Sequence, residues 1–267
     1  MNMILSLPVA AILLTFSPAA DAPVLADGDL PPGLHSARLL AGWTDADGTR
    51  ISALELVLEP GWKTYWRNPG DTGLPPSFDW SGATNLADAQ IIWPAPQTII
   101  SDGETSLGYH DRLILPIRAT PLDAAKPVSL AAEIEVGLCE KVCVPGQLSL
   151  TAPAADTMPD PAITRAMALV PTPIKGRLTC EISAIEDGMA VSVTLPETLP
   201  HVPQAAALEL AGHDDIWVSS AEITAGQVSA EFVAASGAPF DLDPNLVVMT
   251  LIHPDGAAEM RGCAATG

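Results

Sequence analysis

From Val128 to Leu138 an apolar residue stands at every second position: Val128, Leu130, Ala132, Ile134, Val136 and Leu138. Ser129, Glu133, Glu135, Gly137 and Cys139 fall on the other parity. A side-chain period of two describes a strand with one face in a core. Leu138 is therefore expected inside, and Cys139 is expected on the Glu133 and Glu135 face, reachable from solvent. Shorter alternating runs predict further strands at 36–43, 52–59, 89–93, 113–119 and 147–151. The same rhythm resumes at 178–184, 189–195, 206–210, 227–233, 246–252 and 257–262, with Asp187-Gly188 as a hairpin turn between the first two of these. Pro (26) and Gly (20) punctuate these runs, and no sustained 3.6-residue period precedes residue 160, a pattern that belongs to an all-β sandwich.

Between the two groups of strands the composition shifts to Ala, Pro and Asp. The spacing predicts one short helix over 161–169, capped by Asp160 and ended by Pro171 and Pro173. We read 27–155 as a first β-sandwich domain, 156–175 as a connector and 176–267 as a second β-sandwich domain. Residues 1–22 combine a short apolar run with Ala20-Asp21-Ala22, the form of a secretory signal peptide, although no Lys or Arg precedes the run. An uncleaved anchor is the competing reading, but the run is shorter than the ~20 residues a spanning helix needs.

The 32 acidic and 12 basic residues give a formal net charge of -20, which argues against nucleic acid or anionic lipid as partner. The four cysteines allow three pairings. Cys180 shares parity with Leu178 and Ile182 and is expected in a core. Joining it to Cys263 would close a loop over most of the second domain, worth about 4 to 5 kcal/mol in the chain-entropy account. That favours Cys180 with Cys263 as a structural bridge and leaves Cys139 with Cys143; pairing across the domains is the rival arrangement. Cys139 and Cys143 are themselves either a structural pair or an exchanging one. Exchange requires an accessible thiolate, which Lys141 would favour and Glu140 oppose.

Five of the six Trp lie between Trp43 and Trp93. Trp62, Tyr65 and Trp66 crowd one short stretch, where aromatic rings either fill a sheet interface or meet a ligand or partner. The acidic segment 99–108, with Asp102 and Glu104 before Tyr109, reads either as a solvated loop or as a flap over the cysteines. In the second case its acids would serve proton transfer, and Gly103 and Gly108 would let it move.

The motifs Gly61-Trp62-Lys63-Thr64-Tyr65-Trp66, Gly108-Tyr109-His110-Asp111-Arg112-Leu113-Ile114-Leu115-Pro116 and Cys139-Glu140-Lys141-Val142-Cys143-Val144-Pro145 resemble the periplasmic N-terminal domain of DsbD-type thiol:disulfide interchange proteins. The resemblance covers about 30–155, and Cys180 with Cys263 extends it to the two-domain ScsB-like branch. It implies two tandem immunoglobulin-like β-sandwich domains joined by a Pro/Ala-rich connector with one short helix. It also implies a periplasmic protein-disulfide reductase or electron relay without a cofactor, in which Cys143 meets partners and Cys139 resolves the mixed disulfide. A cap loop, by position 99–108, covers the pair in that family. Here the CxxxC spacing is tighter, and the segment lacks the aromatic residue that the family lays over the sulfurs.

The implied partners are oxidised periplasmic proteins and a thioredoxin-like or DsbD/CcdA-type membrane electron donor. The donor is expected on a separate polypeptide, since no multi-helix membrane segment follows in the sequence. A role in copper tolerance belongs to the same expectation. The alternative is a non-catalytic periplasmic module with structural disulfides that binds copper or a glycan. Two reduced thiolates would hold Cu(I), but the histidines are dispersed and no metal site is expected. Aromatic clustering favours a glycan, whereas an aromatic content of 4% does not.

Overall fold

The computed structural model describes residues 30–264, apart from 102, 197 and 200. The expected signal peptide at 1–22, the first residues of the expected first domain and Asp102 lie outside the described residues.

The first group of strands is β1 (Leu34–Thr44), β2 (Arg50–Leu58), β3 (Lys63–Tyr65), β4 (Ser77–Asp79), β5 (Leu86–Ile91), β6 (Gln97–Ser101), β7 (Glu104–His110), β8 (Arg112–Pro121), β9 (Ala131–Cys139) and β10 (Cys143–Thr151). They form one sheet in the order β1-β2-β8-β5 and another in the order β10-β9-β3-β7-β6, with β4 alongside β9. The inner faces meet in a core that includes Leu54, Leu56, Leu115, Ile117, Leu130, Ile134, Val136 and Leu138. This is the alternation read from the sequence, now satisfied from both sheets.

Helix α1 (Pro161–Met167) starts where Asp160 accepts from the Ala162 and Ile163 N–H groups. Its Ile163 is buried against Trp43, Ile51 and Ala53, so the helix is docked on the first sandwich. The chain then enters β11 (Thr172–Pro173), β12 (Thr179–Ala184), β13 (Met189–Thr194), β14 (Ala205–Leu210), β15 (Trp217–Val218), β16 (Glu222–Thr224), β17 (Gln227–Val233), β18 (Val247–His253) and β19 (Gly256–Arg261). These make sheets ordered β11-β19-β18-β14 and β12-β13-β17-β15, with β16 beside β17. The architecture is two immunoglobulin-like β-sandwiches in tandem.

The two sandwiches share apolar surface. Ala205, Ala207, Ile252 and Ala257 of the second are continuous with the core of the first. A polar seam runs beside them. Arg67 donates to Glu209 at 2.8 and 2.9 Å and to Glu259 at 2.9 Å, and its guanidinium lies 4.2 Å from the Trp66 ring centre. Asn68 donates to the Leu208 carbonyl at 2.7 Å, and Asp71 and Ser220 exchange two hydrogen bonds.

One expectation is corrected here. The segment 99–108 is not a loop: β6 and β7 pair from Gln97 opposite Gly108 to Ser101 opposite Glu104. Asp102-Gly103 between Thr- and Ile-rich flanks is itself a hairpin signal.

Candidate redox site

β9 and β10 form a hairpin in which Cys139 stands directly opposite Cys143, around the exposed turn Glu140-Lys141-Val142. The CxxxC spacing thus places both residues on one rung of the ladder, and their sulfurs are bonded to each other across a Cα separation of 4.1 Å. Cys180 and Cys263 are joined likewise and buried at 6% and 3% exposure. Leu178 bridges to Cys263 beside this second disulfide, which ties the start of β12 to the chain after β19.

The two ends of the first disulfide differ. Cys143 is exposed, whereas Cys139 retains 1% of its surface. The expected reachability of Cys139 is therefore corrected. Alternation holds through Glu133, Ile134, Glu135 and Val136, but from Gly137 onward β9 is buried on both faces.

The cover comes from β3 and the segment after it. The Tyr65 hydroxyl lies 2.8 Å from Cys139 Sγ and 3.3 Å from Cys143 Sγ. With both sulfurs oxidised, only the hydroxyl carries a proton to donate. Burial raises the Tyr65 pKa above its ordinary value, which keeps that proton in place. Leu74 and the Tyr65 ring lie against Gly137, and a Cβ there would come within 2.8 Å of both Tyr65 Cδ2 and the Leu74 carbonyl oxygen. Glycine inside a strand commonly marks such a close approach, and Gly137 was the sequence signal for this cover. Gly137→Ala is expected to push Tyr65 and Leu74 outward. Iodoacetamide labelling of reduced protein should then modify Cys139 several-fold faster than in the parent.

Lys63 completes the inner wall. It pairs with Cys139 on one side and His110 on the other, and its ammonium nitrogen lies 6.0 Å from the centre of the Tyr65 ring. It is buried, at 8% exposure, on the same face of the sheet as Cys139 and Tyr65.

The proposed cap residues sit elsewhere. Glu104 lies six residues along β7 from His110, which shares a row with Lys63 and Cys139. At about 3.3 Å per residue this is about 20 Å from the sulfurs. Tyr109 is buried, and its hydroxyl donates to the Pro94 carbonyl at 2.8 Å, so it too is not a cap. The aromatic residue over the sulfurs comes from β3 instead.

Of the three aromatics read as either interface filling or partner contacts, the structure assigns Tyr65 and Trp66 to the interior. Tyr65 and Trp66 are fully covered, at 1% and 0% exposure, because β3 is an interior strand and Arg67 overlies Trp66. Trp62 is half-buried, and its carbonyl accepts from His110 Nδ1 at 3.0 Å. Phe78, Trp80 and Trp93 instead help line a cleft of about 820 Å³ between the sandwiches, together with Trp217, which the sequence reading left aside.

The family model for the thiol:disulfide interchange protein DsbD, N-terminal, matches residues 36–155, a segment that contains Cys139 and Cys143 and neither of the other cysteines. Residues 36–155 belong to the DsbD N-terminal family. The two-sandwich chain is also similar to a solved structure, the N-terminal periplasmic domain of ScsB from Proteus mirabilis. The TM-score is 0.58 at 22% identity, over 87% of this chain and 93% of that one. At that identity the likeness is one of fold. No curated protein matches the chain. The DsbD N-terminal family is one of thiol-disulfide interchange, and the pair within the matched segment is the one with an exposed sulfur-bearing residue beside a buried one. Among the described residues no helix is long and apolar enough to cross a membrane.

Proposed function

We propose that the chain is a periplasmic electron relay that reduces disulfides in other exported proteins, with Cys143 as the partner-facing residue and Cys139 as the resolving one. The observation that carries this reading is the unequal exposure of the two ends of one disulfide, with the Tyr65 hydroxyl set against the buried end.

In the reduced pair, the Cys143 thiolate attacks a sulfur of the substrate disulfide and expels the other substrate sulfur as a thiolate. The Cys139 thiolate then attacks Cys143 Sγ, breaks the mixed disulfide and releases the second substrate sulfur. Two electrons and two protons leave the Cys139 and Cys143 dithiol, and the substrate disulfide becomes a dithiol. Recharging runs in reverse. A thiolate of the membrane or thioredoxin-like donor attacks Cys143 Sγ, and Cys139 departs as an anion that the Tyr65 hydroxyl stabilises by hydrogen bonding. The donor's second thiolate then resolves the mixed disulfide at its own sulfur, which leaves Cys143 reduced and the donor oxidised.

A redox titration followed by non-reducing peptide mapping tests this. The Cys139–Cys143 bond is expected to open first, at a potential above about -300 mV, where exchanging pairs lie, while Cys180–Cys263 persists. Opening of Cys180–Cys263 first, or a potential below that limit for both bonds, would leave two structural staples and no relay.

A further inference from the structure

The five histidines stand at 35, 110, 201, 213 and 253, with no metal-ligand spacing among them. The fold nevertheless brings two of them together, which corrects the expectation that no metal-ligand cluster exists. His253 faces Gly256 at the end of the β18–β19 hairpin, with Asp255 in its turn. β14 runs antiparallel to β18 with Ala205 opposite Ile252, so the segment that enters β14 passes the same turn. The Gln204 N–H donates to the Ile252 carbonyl at 2.7 Å and holds that segment in place.

His201, three residues earlier, stacks on His253 with ring centres 4.3 Å apart and planes 18° from parallel. One ligand atom from each of His201, His253 and Asp255 lies within 4.8 Å of the others. Independently, His253 Nδ1 is buried with no hydrogen-bond partner among the described residues. A buried imidazole nitrogen ordinarily has one, so the ring's position against His201 is not explained by protein hydrogen bonding.

We propose that His201, His253 and Asp255 bind a divalent transition-metal ion. Two imidazoles and one carboxylate suit Zn²⁺, Ni²⁺ or Cu²⁺ rather than Mg²⁺ or Ca²⁺, and three protein ligands leave a position for water. Metal-ligand bonds of about 2.0–2.2 Å bring tetrahedral ligand atoms to about 3.3–3.5 Å from one another, so on binding the cluster closes by up to about 1.5 Å and the His201 ring turns out of its stack to aim its in-plane lone pair at the ion. His201 and Asp255 are exposed and can make that movement. The ion joins the segment entering β14 to the β18–β19 turn. It does so beside Ala205, Ile252 and Ala257, which pack on the first sandwich, and it therefore stiffens the edge of the interface.

The test is calorimetric titration of Zn²⁺ into the untagged, oxidised, chelator-stripped chain. The four cysteines are then paired as two disulfides, so thiolates do not compete. Uptake of about one ion is expected, weakened at least about tenfold by His201→Ala and by His253→Phe, since even outer-shell changes cost about that much. His213→Ala should leave binding unchanged. His201 is exposed, so its variant decides the matter even if His253→Phe folds poorly. No uptake by the parent, or uptake that His201→Ala leaves intact, overturns the proposal.

Discussion

Reduced Cys139→Ser protein is expected to hold a thiol probe that the parent releases. With an aromatic disulfide reagent, the exposed Cys143 thiolate attacks one reagent sulfur and expels the other as a coloured thiolate. In the parent, Cys139 then displaces the second half, so about two equivalents of chromophore appear and the protein re-forms its disulfide. In Cys139→Ser the reaction stops after about one equivalent, with the adduct covalently held and visible by mass spectrometry. Serine is the substitution of choice because its hydroxyl can still accept from Tyr65, which leaves the wall of the site in place. The reciprocal Cys143→Ser variant retains only the thiol at 1% exposure and should react at least about tenfold more slowly. Both measurements use protein in which Cys180–Cys263 remains closed. Equal rates for the two single variants, or failure of Cys139→Ser to keep the adduct, would remove the division of labour between the two sulfurs. The same trapped species, formed in a periplasmic extract, would identify the natural partners.

The contrast between Cys139 and Cys143 shows how far the sequence could be read. Parity correctly assigned Leu138 to the core, because the alternation in β9 is a local property of one strand. The exposure of Cys139 was not local. It depends on the Tyr65 ring and Leu74 crossing the outer face of β9, and these residues arrive from more than sixty positions upstream. Long strands with a clear period were legible for the same reason, whereas β3, only three residues long, carries no period to read. Yet β3 supplies Lys63 and Tyr65, the two side chains that shape the environment of the sulfurs. The hairpin of β6 and β7 was obscured differently: its acidic tip looks like a flap, and adjacent Ile99 and Ile100 break the period of two that marks a strand. His201 and His253 lie 52 positions apart and meet only because β14 pairs with β18.

Arg67→Ala is expected to loosen both the join between the sandwiches and the cover of the redox pair. Arg67 follows Tyr65 and Trp66 directly, so the residue that reaches the second sandwich is two positions from the hydroxyl at the sulfurs. Burial opposes its charge, but hydrogen bonds and charge from Glu209, followed by those from Glu259, outweigh that penalty and raise its pKa above the usual value. Removing the guanidinium leaves Glu209, at 18% side-chain exposure, without its cation and beside Glu259, which keeps its pairing with Arg261. Loss of one member of a fully buried pair costs about 3–5 kcal/mol, and partial solvent access here reduces that to about 2–3 kcal/mol. For a chain of this size the melting temperature should fall by about 5–10 °C. Arg67→Lys keeps the charge without the fork that spans both carboxylates and should lie between the two. Adding Glu209→Gln to Arg67→Ala should recover part of the loss, since one unpaired charge disappears. The functional counterpart is selective: dithiothreitol should open Cys139–Cys143 several-fold faster in Arg67→Ala, because the segment 67–71 no longer holds Tyr65 in place from the far side. Cys180–Cys263 should open at the parental rate. Equal acceleration at both bonds would mean general unfolding, and no change at either would mean that the second sandwich does not govern access to the first.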